Sequence, residues 1–217
     1  MAVQLTSPYV TVTLPLPLRN RLAELILDSL HDPKARSTLS ALVRFCAEPE
    51  QPAATTVVSA EFPAAVRGEY GRFRGELCER TLRAWEVVRD RPLARPESGL
   101  GEVLEQAADL FDARLFFEVH ELLEPCWIRA DGAPREALQG LIQIAVGFQH
   151  LVNDNIDGAR MLLEEGSAKV DGKRLEGRDL AELARAVRGS LHVIAALGRE
   201  ASRTFDWGQV PRFPRGG

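Results

Sequence analysis

Long apolar runs, cysteine and an excess of positive charge are all scarce in this 217-residue chain. No apolar stretch approaches the ~20 residues that cross a bilayer, so no membrane partner is expected. The start, MAVQLTSPYVTVTL, lacks the basic residues and apolar core of a secretory signal. Cysteine occurs only at Cys46, Cys78 and Cys126, an odd number at wide spacing. That spacing fits neither a metal-ligand nor a disulfide pattern. Three reduced thiols in a cytoplasmic protein are therefore the expectation. Lys and Arg total 27 against 31 Asp and Glu, a net charge of -4 with the four histidines neutral. Such a balance calls for no nucleic acid. Also missing are a phosphate-binding glycine loop, a nucleophile elbow, an internal repeat and any low-complexity tract.

What is present is ordinary globular composition, with 45% hydrophobic and 27% charged residues. Apolar residues recur mostly at three-to-four spacing, the period of a helix with one buried face. Leu18, Leu22, Leu25, Ile26 and Leu30 make one such stripe after Pro17. Leu39, Leu42, Val43 and Cys46 make a second, over 34–47. A long third helix over 63–90 carries Phe73, Leu77, Trp85 and Val88, with i,i+4 pairs Glu76–Arg80 and Glu79–Arg83 on its surface. Its length suits packing against a second copy of the chain, so a homodimer through 63–90 is a candidate. Short strands over 10–14 and 57–60 are expected beside these helices. Further helices are expected over 100–111 with Ser98 as cap, over 156–170, and over 178–199. The tail from Thr204 onward has no helical period, and Phe205, Trp207 and Phe213 are expected to anchor it. The fold class is all-α: an antiparallel helical bundle over 96–217 with an N-terminal helical extension over 1–95.

The stretch from Arg114 to Leu151 organises the rest. It reads as two antiparallel helices around Ala130-Asp131-Gly132, apolar apart from a polar seam. Phe117, His120, Glu124 and Trp127 fall on one stripe of the first helix, and Pro125 predicts a kink there. Gln139, Gln143, Val146 and His150 share a stripe on the second. Gly140 and Gly147 beside it permit a close helix neighbour. An antiparallel pairing sets His120 near Gln143 and Glu124 near Gln139. It offsets His120 from His150 by roughly 9 Å, which argues against one ion bound by both.

Imidazole and carboxylate one turn apart can serve as a general base or hold a divalent metal. His120, Glu121 and Glu124 are the metal candidates, and His120 and Glu124 the catalytic ones. A buried His–Glu–Gln network that satisfies itself is the plainer reading. His150 is expected to bond Asn153 or Glu118. HExxE is not the zinc-protease HExxH pattern, because the second histidine is missing.

FFEVHELLEPCW (116–127), EALQGLIQIAVGFQHL (136–151) and NDNIDGARMLLEEG (153–166) together resemble the bacterial and archaeal family known as domain of unknown function 309. The resemblance spans roughly residues 99–170. It implies a compact all-helical domain with matching positions at Phe117, His120, Glu121, Glu124, Trp127, Gln139, Gly140, Gln143, His150, Asn155, Gly158 and Ala159. Asp112-Ala113-Arg114 departs from the Asn-x-Gly-like turn expected before the aromatic pair. The resemblance brings no activity. Three readings follow: a non-catalytic interaction or structural module; a metal-dependent or acid–base hydrolase using His120 and Glu124; or a small-ligand cleft beside Trp127, Gln139, Gln143 and His150.

Overall fold

A computed structural model describes residues 13–47, 62, 71–95 and 99–216. The strand expected at 57–60, the opening of the third helix at Pro63, the Ser98 cap and the first part of the strand at 10–14 lie outside them. Thr13 and Leu14 are not in a strand. Helix α1 spans Leu16–Asp28 and α2 Pro33–Ala47. A 3-10 turn, Gly71–Phe73, leads into α3, Arg74–Val88. Helices α4, α5, α6 and α7 follow at Leu100–Asp112, Phe116–Arg129, Gly132–Val152 and Ile156–Val170. Among the described residues no helix is long and apolar enough to cross a membrane. The all-α architecture is as expected, and the only strands described are two of two residues each.

Those strands, β1 at Arg174–Leu175 and β2 at Arg178–Asp179, pair antiparallel around Glu176 and Gly177. Both turn residues have positive φ, 48° and 78°, as a two-residue hairpin turn demands. This corrects the expectation that the last helix begins at 178. It begins later, as α8, Ala181–Leu197. Arg178 is instead buried in an ion pair with Glu105, and the Asp179 carboxylate accepts the Ala181 N–H at 2.9 Å.

Helices α5, α6, α7 and α8 pack in sequence, each against the next, with α4 against α5; α1 packs on α5, and α3 packs on α1, α2 and α4. One apolar core runs through all of them, from Leu14 to Phe213. The closest approach is between α6 and α7. A Cβ on Gly140 would lie 2.6 Å from Val170 Cγ1 and 2.9 Å from the Gly166 carbonyl oxygen. The neighbour these glycines admit is therefore α7.

The interhelical turn is held by Arg135. Its guanidinium donates to the carbonyl oxygens of Trp127, Ile128 and Ala130 at 3.0–3.2 Å, satisfying acceptors that the end of α5 leaves open. Helix α5 is helical through Pro125, which faces solvent. Before α5, Arg114 takes φ +59°, in the left-handed region.

The tail anchors as expected. Phe213 is buried with its ring 5.5 Å from Phe111, and Phe205 packs edge-on to Trp207. Arg215 pairs with Asp109 at 2.5 Å and Asp112 at 2.9 Å, and the Gly216 N–H donates to Glu105 at 2.8 Å. Burial pushes the Glu105 carboxyl up, but Gly216, Arg178 and Arg215 outweigh it and hold it below its ordinary range.

Candidate metal centre

Helix α5 gathers the site by its own period. His120 and Glu124 are one turn apart, and Glu121 is three residues from Glu124, so all three share a face. One donor atom from each lies within 4.8 Å of the other two. His120 Nδ1 is 3.1 Å from Glu121 Oε1, with the two side chains 28% and 38% exposed, so water reaches them.

Apolar and cationic groups back the cluster. The Phe117 ring centre is 6.2 Å from that of His120, and the Arg19 guanidinium of α1 covers Phe117 at 4.1 Å. Burial lowers the Arg19 pKa, and Arg80 lowers it further, while Glu121 and Glu118 act the other way. Next to this rim, Glu118 is wholly buried and accepts from Arg80 of α3 at 2.5 Å. Arg80 was expected to pair with Glu76 on its own helix. It reaches across to α5 instead, because a carboxylate with no access to water needs a cation more than an exposed one does. The expected Glu79–Arg83 pair is present at 3.7 Å.

The proposed amide partner goes elsewhere. Gln143 Nε2 donates to Glu165 Oε2 of α7 at 2.7 Å, so the His–Glu–Gln network is corrected to a His–Glu–Glu cluster. The cause is the glycine contact above: the stripe that carries Gln143 lies against the edge of α7, not square on α5. Gln139 is half-buried next to Gly140. Trp127 is half-buried under the Arg135 guanidinium, 4.5 Å from its ring.

The His150 ring bonds neither Asn153 nor Glu118 among the described residues. Its Nδ1 is 2.6 Å from Asn155 Nδ2. An amide nitrogen can only donate, so Nδ1 accepts and the proton sits on Nε2. Asn155 Oδ1 accepts the Gly158 N–H at 3.0 Å and caps α7. A Cβ at 158 would fall 2.5 Å from Asn155 Nδ2, so a larger residue there would displace the capping side chain. His150, Asn155 and Gly158 thus act together as a capping device.

Burial lowers the His150 pKa below its ordinary 6.5. The unfolded chain then takes up the proton first as pH falls. Its contribution to stability is complete above about pH 6.5 and is lost as pH drops through the lower folded value. We expect the urea midpoint to fall between pH 7.5 and about 5.5, and the slope to shrink in His150→Gln, which cannot titrate. Equal slopes would refute this.

Two residues near the site carried signals in the sequence that periodicity could have caught. Leu115 and Leu122 flank Glu118 at i−3 and i+4, and Leu77 and Ala84 flank Arg80 likewise. Each charge therefore sits inside an apolar stripe, where only a paired one is stable. Arg19 has the same kind of flanks, Leu16 and Ala23, yet is only half-buried.

Fold and site together define an all-helical bundle with a half-exposed histidine–carboxylate cluster on its second bundle helix. Residues 104–162, from α4 into α7, match the family described as "Domain of unknown function (DUF309)". No curated protein and no solved structure matches the chain.

Proposed function

We propose that this protein is a divalent-cation-binding helical module whose protein ligands are His120, Glu121 and Glu124. The supporting observation is that one imidazole nitrogen and two carboxylate oxygens converge within 4.8 Å at a place water reaches. Two ionised carboxylates so close repel by on the order of 1–3 kcal/mol at the dielectric of a half-exposed site. A bound cation reverses the sign of that cost. One nitrogen and two oxygens suit zinc, manganese or iron better than calcium. All three donors come from one helix, so the remaining coordination positions are open to water or substrate. Open positions are what metal-assisted hydrolysis requires, and hydrolysis is the activity we assign to the module.

A second reading, a structural or interaction module without metal, is favoured by the 3.1 Å contact between His120 and Glu121, which partners both groups. Isothermal titration with Zn²⁺ and Mn²⁺, beside elemental analysis of the purified protein, separates the two. We expect one equivalent bound. His120→Ala and Glu124→Gln should weaken binding by more than about a hundredfold, beyond the ~10–100-fold typical of losing a merely supporting group. Their melting temperatures should barely move, since the side chains are half-exposed. No metal in the wild type, or undiminished metal in both variants, would favour the structural reading.

A further inference from the structure

Helices α7 and α8 leave between them a cleft of about 380 Å³, away from the histidine–carboxylate cluster. That volume is within the range of small-molecule sites, about 300–1,000 Å³. One wall carries Arg160 and Glu164 above Ser167 and Ala168, and the other carries Arg188, Leu191, His192 and Ala195. Both sets recur at three-to-four spacing, so each is a single helix face turned inward. Alanine on both walls is why the groove does not fill.

The polar groups of the cleft differ in how far they are committed. Arg160 makes no ion pair or hydrogen bond among the described residues. Arg188 pairs with Asp171 at 3.1 Å, but the two side chains are 42% and 50% exposed. Exposed pairs of this kind are worth little and exchange readily for a ligand. His192 Nδ1 lies 2.7 Å from the Arg188 carbonyl oxygen. That oxygen can only accept, so Nδ1 carries a proton and Nε2 is left as an acceptor at the edge of the cleft, suited to a hydroxyl of a ligand rather than its anionic head. The Ser167 hydroxyl is already given to the Glu164 carbonyl oxygen at 3.0 Å and forms floor rather than contact.

From these groups we infer that the α7–α8 cleft binds a small amphipathic organic anion, a carboxylate or phosphate monoester on a compact apolar body. The two arginines hold the charged head, and Leu191 with the two alanines covers the apolar part. Glu164 on the same wall repels further negative charge, which selects one anionic head over a polyanion. The site does not depend on the metal reading, since no residue is shared.

Titration calorimetry on the full chain with phenyl phosphate and hexanoate tests the inference, with inorganic phosphate and benzyl alcohol as controls. Both amphipathic anions should bind, and both controls should bind at least about tenfold more weakly. Arg160→Ala and Arg188→Ala lie on the surface and should fold normally. Each should weaken phenyl phosphate binding by about tenfold or more, the usual cost of losing one charged hydrogen bond. His120→Ala should bind both probes like the wild type, which separates this site from the proposed metal centre. Binding of neither probe, equal binding of either control, or wild-type affinity in both arginine variants would overturn it.

Discussion

Glu118→Ala is expected to destabilise the protein by about 3–5 kcal/mol, and Arg80→Ala by a similar amount. The two side chains are 0% and 6% exposed and 2.5 Å apart, linking α5 to α3 across the core. Removing either leaves the other charged, out of water and without its directly bonded counter-ion. A typical domain is stable by only about 5–15 kcal/mol, so each loss takes a large share of the total. The pair itself is not the most stable solution for the site, because Glu118 Oε2 has no hydrogen-bond partner among the described residues. Arg80→Met combined with Glu118→Leu should therefore recover most of the loss, as apolar replacement of buried ion pairs often does. Urea unfolding of the two single variants and the double variant decides. Single variants that lose less than about 1 kcal/mol would show that the pair is hydrated.

The burial of that pair marks the boundary of what local pattern reveals. Helix limits were legible because stripes and punctuation agree: Pro33 opens α2, Gly132 and Gly172 flank α6 and α7, and Asn155 caps α7. The His120–Glu121–Glu124 cluster was legible because its three donors lie on one helix, where spacing alone sets proximity. Gln143 was misplaced because its partner depends on how α6 is rotated about its axis. The interhelical turn restricts the pairing of α5 and α6 but not that rotation, which the Gly140–Gly166 contact decides. The hairpin at 174–179 escaped because two-residue strands have no measurable period, and Glu176-Gly177 is not among the usual hairpin dipeptides. The cleft between α7 and α8 escaped too, since arginines on exposed faces look alike until two faces meet.

Cysteine is the clearest case of contacts that spacing cannot foretell, and it carries the other large effect. Cys46 at the end of α2 and Cys78 in α3 form a disulfide, Cα atoms 5.4 Å apart, leaving Cys126 as the one free thiol. This overturns the expectation of three reduced thiols. The two residues are 32 apart in sequence, and closing a loop of that length restricts the unfolded chain by roughly 3–4 kcal/mol. Opening the bridge should lower stability by about that much. The loss should be local, because α2 packs on α1 and α3, whereas α6 and α7 pack on each other. Amide exchange in α2 and the first half of α3 should accelerate in dithiothreitol, or in a Cys46→Ser, Cys78→Ser variant, while exchange in α6 and α7 holds. A thiol count on denatured protein, without reductant, should give one free sulfhydryl. A count of three would mean the bridge does not form. In a reducing cytosol the bridge opens, so α1–α3 would there be the weaker half of the molecule. Helix α1 supplies Arg19 and α3 supplies Arg80 beside the His120 cluster. Both are cations that repel a metal ion, so loosening these helices should tighten any metal bound there, and comparing metal affinity in the oxidised and reduced protein links the two effects directly.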